Sequence, residues 1–251
     1  MEWLAGVRMP RWASPYSAQA TAALKAQFPT QWPTIRDYGF AHPEIVGYMN
    51  AYAPEDAKIA YSLVEGIGMR YITTDKNAYI DTTVKATSNT DCEIDFLNLV
   101  NVNGSEHVLF GARNGSWSAN YGINGNSLGR NVIYAYYNYD GGTGITMMTE
   151  AVYKLAKGKL YINGEQRYTK TYSAFSFNLN IFIFGTNNGG SQAYSPVVSV
   201  KRFKVWESDV LTRELVPYIQ GGVSGMMDLV NGVFHPKQGS GTMTISETPA
   251  S

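Results

Sequence analysis

From Met69 onward the chain alternates between apolar and polar residues, and this period of two is the strongest constraint on its fold. "YITTDKNAYIDTTV" (71–84) and "DCEIDFLNLVNV" (91–102) read as half-buried strands, because successive strand residues point to opposite faces. Further strands are predicted in "HVLFGAR", "SANYGI", "NVIYAYYNY", "GITMMTEAVY", "KLYINGEQRY", "LNIFIFG", "PVVSVKRFKVWE" and "GVFHP". Turn signals separate them: Asn103-Gly104, Asn114-Gly115, Asn124-Gly125, Asp140-Gly141-Gly142, Asn163-Gly164 and Asn187-Asn188-Gly189-Gly190. Many short strands joined by such turns predict an all-β, two-sheet antiparallel jelly-roll sandwich over residues 66–251. Helical periods are nearly absent there, with one short turn expected in "TRELVPYI".

Residues 1–65 have a different texture. They hold six of the ten prolines, so a regular sheet cannot run through them. Short helices are predicted over Ser17–Phe28 and from Pro54, where Pro at the first turn and Glu55-Asp56 suit a helix N-terminus. Trp3, Trp12, Phe28, Trp32 and Phe40 are too many large apolar groups for a solvated linker. The segment reads as an irregular, partly helical arm that docks on the main domain, a second copy or another protein.

Charged residues make up 16 % of the chain, against about 25 % usually, and Lys plus Arg balances Asp plus Glu at 20 each. Nothing in that balance points to nucleic acid or an anionic membrane, and no apolar stretch is long enough to cross a bilayer. A single cysteine, Cys92, excludes an internal disulfide and sits in the strand pattern as a small core residue. Glu2, Arg8 and Arg11 interrupt what would be an export signal. The expectation is a chain kept in the cytosol, one that leaves without a cleaved signal, or one trimmed of it.

The order "YIDTTVKATSNTDCEIDF", "VLFGARNGSW", "KLYINGEQ", "IFIFGTNNGG", "VSVKRFKVWESDVLTRELVPYI", "GMMDLVNGVFHPKQGSGTM" resembles the concanavalin A-like, laminin G-type jelly-roll domains of gut bacteria and their phages. The resemblance covers about residues 70 to 243 and leaves the arm outside. It implies a sandwich whose last segment, Asp228 to Phe234 around Asn231-Gly232, is a closing hairpin with an exit through Pro236. The fold hosts binders, hydrolases and structural modules alike, so it does not by itself name a function. No phosphate loop is present, since no helix follows the late glycines.

Hydrolases sharing this jelly roll place Glu-x-Asp-x-(x)-Glu on one strand. Here Glu93 and Asp95 match the first two places, but Asn98 and Leu97 supply no third carboxylate. A retaining mechanism needs two carboxyl groups about 5–5.5 Å apart with one placed as proton donor, so these residues predict an outer strand face and no enzyme. His42, His107 and His235 show no metal-ligand spacing. No serine nucleophile elbow is present. No cofactor is expected. Calcium is the one metal that loop residues Asp140, Asn187 and Asn188 leave open.

Glycan binding needs flat rings for stacking and polar side chains for hydroxyls. Eighteen tyrosines make that chemistry available. Candidate contacts are Arg113, Asn114, Trp117 and Tyr121, with Tyr134 and Tyr136 on one face of their strand and Tyr137 and Tyr139 on the other. Two main readings follow. The first is a non-enzymatic structural or host-recognition component of a phage particle, a homo-oligomer anchored to other virion or surface proteins through Trp3, Trp12, Phe28, Trp32 and Phe40. It would be assembled in the host cytoplasm and could still hold a surface glycan. The alternative is a bacterial carbohydrate-binding module, exported or held at the cell surface. A laminarinase-like hydrolase is third.

Overall fold

The computed structural model describes residues 71–100, 107–114, 120–125, 132–138, 141–220 and 222–246. The arm and its five docking aromatics therefore lie outside the described residues, as do Trp117 and Tyr139. The described part is an all-β antiparallel sandwich. Its strands, in chain order, are β1 (Tyr71–Thr74), β2 (Ala78–Thr87), β3 (Thr90–Leu97), β4 (His107–Arg113), β5 (Asn120–Gly125) and β6 (Val132–Tyr137). There follow β7 (Gly142–Thr146), β8 (Ala151–Ala156), β9 (Lys159–Ile162), β10 (Glu165–Thr169), β11 (Ser176–Ile183) and β12 (Thr186–Asn188). The last six are β13 (Ser191–Ala193), β14 (Val198–Glu207), β15 (Val210–Gln220), β16 (Val223–Asp228), β17 (Val233–Gly239) and β18 (Met243–Ser246).

Sheet A runs β10-β9-β8-β3-β14-β15-β16-β17, with the short β1–β18 pair beside the start of β14. Sheet B runs β7-β6-β5-β4-β11-β2. β12 lies parallel to the end of β4 and turns back into β13. Strand β17 belongs to both sheets. Val233 to Pro236 pair with β16 in sheet A, and Lys237 to Gly239 pair with β2 in sheet B. Pro236 sits where the partner changes. A residue without an N–H is tolerated there, because the ladder is already interrupted.

Local chemistry accounts for the hairpins. Ile162 pairs with Glu165 across Asn163-Gly164, whose φ values are 51° and 84°. Glu207 pairs with Val210 across Ser208-Asp209, at 52° and 68°. Two consecutive left-handed residues make the tight turn whose twist matches the strands, which is why Asn, Asp and Gly occupy it. Asn124-Gly125 is different: both residues end β5 as a strand. "TRELVPYI" is strand β15, not a helical turn, because it pairs with β14 and then β16. Local propensity there yields to the ladder on each side.

The core lies between the sheets. Ile94, Phe96, Tyr153, Leu155, Val200 and Phe203 come from sheet A, and Ile80, Phe110, Tyr121, Ile123, Ile133 and Ile183 from sheet B, all fully buried or nearly so. Phe110 and Phe203 meet edge to face at 5.1 Å across the gap. Cys92 is among the core residues, and burial pushes its thiol well above its ordinary range. Among the described residues no helix is long and apolar enough to cross a membrane.

Candidate functional site

Tyr121 is a core residue and not a surface contact. Along β5, Tyr121 and Ile123 point between the sheets while Gly122 and Asn124 point out. The ring lies near Phe110, Tyr137 and Phe175, and its hydroxyl donates to the Thr90 carbonyl at 3.0 Å. Burial drives that hydroxyl well above its usual pKa. Tyr137 also faces inward and donates to the Ser88 carbonyl at 2.8 Å.

Tyr134 and Tyr136 share the outer face of β6, with nearly parallel rings 5.9 Å apart. Tyr134 is half-buried, and Tyr136 is buried. Arg113 ends β4 and is also buried, with Nη1 donating to the Tyr194 hydroxyl at 3.2 Å. Asn114 is exposed just beyond it. Arg113, Asn120, Asn124, Tyr136, Thr186 and Tyr194 surround a crevice of only about 20 Å³. That is room for a single water. Both faces of β4 and β5 are buried, so this seam is not an open stacking platform.

Glu93 and Asp95 lie on the outer face of sheet A, with Cys92, Ile94 and Phe96 turned inward, as the alternation predicts. β3 is a central strand, between β14 and β8. Each acid meets a lysine from β14: Glu93 faces Lys204 at 3.7 Å and Asp95 faces Lys201 at 3.8 Å. Burial raises the Asp95 pKa, against the pull of Lys201 and Arg202. The third position, Asn98, brings no carboxyl group. Asn187 bonds within its own loop, donating to the Asn180 carbonyl and accepting from Gly190 N–H. Among the described residues no three His, Cys, Asp or Glu side chains gather as a metal site.

A polar hollow roomier than that crevice lies where β17 changes sheets, and a wider one of about 490 Å³ lies on sheet A beside Asp91, Glu93 and Lys154. The hollow beside β17 has a volume of about 250 Å³ and is lined by Asp81, Thr83, Arg213, Asp228, Asn231, Val233, Phe234, His235, Pro236 and Gln238. Its chemistry begins with a break in β2. Asn180 pairs with Lys85 and Phe182 with Asp81, so β2 bulges between them. Side chains replace the missing ladder bonds: Asp81 Oδ1 accepts Thr83 N–H at 2.8 Å, and Thr82 Oγ1 donates to the Ile181 carbonyl at 2.8 Å. Thr83 is held at φ 61°. A β-branched residue there is strained, and such strain clusters at binding sites.

Two buried groups form the floor. Asp228, fully buried, accepts from Glu214 N–H at 3.2 Å, Val230 N–H at 3.0 Å and Asn231 Nδ2 at 2.6 Å. Arg213 Nε lies 3.4 Å from Oδ2, the oxygen that also accepts Asn231. The Asp228 carboxylate thus locks the turn that the sequence marks with Asn231-Gly232, and Gly232 N–H closes that turn on the Asp228 carbonyl at 2.8 Å. His235, 4 % exposed, sits with Nδ1 2.8 Å from the Asp81 carbonyl. A carbonyl only accepts, so Nδ1 carries the proton and Nε2 is the acceptor of the neutral ring. Nε2 has no hydrogen-bond partner among the described residues. Val233 also lines the hollow, and so does Phe234, whose ring lies against Gly225 and edge to face with Tyr218 at 6.1 Å.

None of the described sequence-predicted glycan contacts (Arg113, Asn114, Tyr121, Tyr134 and Tyr136) lines this hollow. Its residues come from β2, β15 and the β16–β17 hairpin, and the His235–Asp81 contact spans 154 positions. Two local signals were present: an Asp three residues before Asn-Gly, and a Thr-Thr pair in the alternating strand. Neither reveals its distant partner.

The fold is shared with known structures. A candidate carbohydrate binding protein from Bacteroides ovatus matches 72 % of this chain and 61 % of its own, with a TM-score of 0.52 and 12 % identity. The chain thus spans 61 % of that protein's length, and the likeness shows the fold alone. The CBM40 module of the Ruminococcus gnavus IT-sialidase, solved with α2,3-sialyllactose, covers 59 % of this chain and 95 % of its own at 18 % identity. Its TM-score of 0.40 is too low to carry an argument. No family model matches the sequence, and no curated protein matches it.

Proposed function

We propose that this chain is a non-catalytic carbohydrate-binding module of the laminin G-like jelly-roll type. The hollow beside β17 carries the reading. It brings Phe234 and Val233 together with hydrogen-bonding groups of both kinds: the Arg213 guanidinium as donor, Asp81 and His235 as acceptors. Sugars are recognised by that combination, an apolar ring face with several fixed polar groups. The fold shared with a candidate carbohydrate binding protein supports it. The hydrolase reading has no such support, since Glu93 and Asp95 are paired with lysines on another face. The virion reading rests on residues 1–65, which lie outside the described residues, and no observation favours it over the glycan binder.

The test is a glycan array probed with the whole chain, repeated with Phe234→Leu. Leucine keeps the apolar bulk and removes the ring. Loss of a stacking ring is worth about 1 kcal/mol, so binding should fall roughly fivefold with little change in the unfolding midpoint. An array with no retained glycan, or one on which Phe234→Leu binds as tightly as the parent chain, would sink the proposal.

A further inference from the structure

Resting on the carbohydrate reading, we infer that the hollow beside β17 takes one uncharged, terminal sugar ring. Size is the first reason. Its volume, about 250 Å³, falls just under the ~300–1,000 Å³ of pockets that hold drug-sized ligands. A single ring fits such a space, and a run of sugars does not.

Shape is the second. The floor is closed by Asp228 and His235, both buried, while Thr83, Val233, Pro236 and Gln238 are exposed at the rim. A ring enters end-on, with the rest of its chain leaving past the rim. Strand β17 and the Asp228–Gly232 turn block a path through.

Charge is the third. Among the described lining residues, two carboxylates, Asp81 and Asp228, face one guanidinium, Arg213. Arg213 is already engaged by Asp228 and by its Nη1 bond to the Thr212 carbonyl at 2.8 Å. A sugar carboxylate would find the Arg213 charge already balanced by Asp228 and would meet Asp81. Neutral hydroxyls instead match what is available: the unpartnered His235 Nε2 accepts an O–H, and the Asp81 carboxylate accepts another. An N-acetyl group is compatible with the Phe234 wall.

The experiment is saturation-transfer NMR and calorimetry on the whole chain with free sugars. The neutral probes are galactose, glucose and N-acetylglucosamine; the acidic ones are glucuronate and N-acetylneuraminate. At least one neutral sugar should bind, and the acidic sugars should bind at least about tenfold more weakly. Gln238→Lys adds a cation at the exposed rim without touching the floor. It should shift the ratio of acidic to neutral affinity toward the acidic sugars by about threefold or more. The inference is overturned if an acidic sugar equals or beats the neutral ones, or if Gln238→Lys leaves that ratio as before. It is also overturned if only oligosaccharides bind, in which case the carbohydrate reading stands. If no glycan is retained on the array either, that reading fails and this inference fails with it.

Discussion

On the outer face of sheet A, Glu93 faces Lys204 and Asp95 faces Lys201, each pair part-exposed, on a ladder that slips by one residue at Lys201. Lys154 from the neighbouring strand lies 4.1 Å over the Trp206 ring. Beside β17 the carboxylate of Asp228 is fully buried, and the ladder around it is broken by a bulge in β2 and a strand that changes sheets. The two regions hold similar residue types. What differs is burial and the extent of the break: the sheet A ladder slips by one residue, whereas beside the hollow β2 bulges further and β17 changes sheets. A regular sheet places opposite charges across from each other, so they satisfy one another in water and leave nothing over. Where the ladder breaks, side chains must stand in for backbone partners. Some are then fixed with a group left to offer, as His235 is.

The contrast predicts that Asp228 matters far more than any acid on sheet A. Asp228→Ala removes the acceptor of three donors and leaves Arg213 half-buried without its anion. Breaking a buried pair on one side costs about 3–5 kcal/mol. The urea unfolding midpoint should drop accordingly, whereas Asp228→Asn should lose less, because one acceptor oxygen remains. If alanine costs under about 1 kcal/mol, the buried turn is not held by this carboxylate.

Thr83 tests whether the bulge beside the hollow stores strain. At φ 61° a threonine is in a region that asparagine tolerates far better. Thr83→Asn keeps the N–H bonded to Asp81 and should stabilise the protein by about 1 kcal/mol. Chemical denaturation measures it, and a destabilised variant would show that the Thr83 hydroxyl bond to the Thr82 carbonyl outweighs the backbone strain.

How far the sequence reaches follows the same division. β3, β8 and β9 pair with one another without a slip in register, and their alternation is visible in the residue order because each position answers only to its own face. Glu93 and Asp95 are outward, and Cys92 inward, for that reason alone. β15 was harder: "TRELVPYI" carries helix-compatible residues, and only the strands on both sides make it extended. Tyr121 was misplaced because it follows Arg113, Asn114 and Trp117 closely in the chain, and alternation along β5 does not say which of its faces meets the other sheet. The hollow was least legible. Asp81, Arg213 and His235 meet only after β17 crosses between sheets, and no local pattern marks that crossing except Pro236.

Asp91 gives a pH handle on the sheet A side. Burial pushes its carboxyl above the ordinary range, although the Lys157 N–H donates to it at 3.1 Å. A raised pKa in the folded state means that the fold binds a proton more readily than the unfolded chain does. Stability contributed by this group is therefore greatest below the ordinary carboxylate range, near about pH 4, and falls as pH rises through the raised value. Asp91→Asn still accepts from Lys157 but cannot ionise. Its unfolding midpoint, followed from acid to neutral pH, should decline less than that of the parent chain. An unchanged slope would assign the effect to Glu214, Glu207 and Asp95, which burial shifts the same way.

The smallest effect is expected at Glu93 and Lys204. Their side chains are 25 % and 23 % exposed and the charges are 3.7 Å apart, so water and neighbouring lysines screen the pair. Part-exposed ion pairs contribute about 0–1 kcal/mol. A double-mutant cycle of Glu93→Gln with Lys204→Met should return a coupling in that range, falling further in high salt. A coupling of about 3 kcal/mol or more would mean that this face is as structurally committed as the floor of the hollow. The difference between the two regions would then come from something other than the broken ladder.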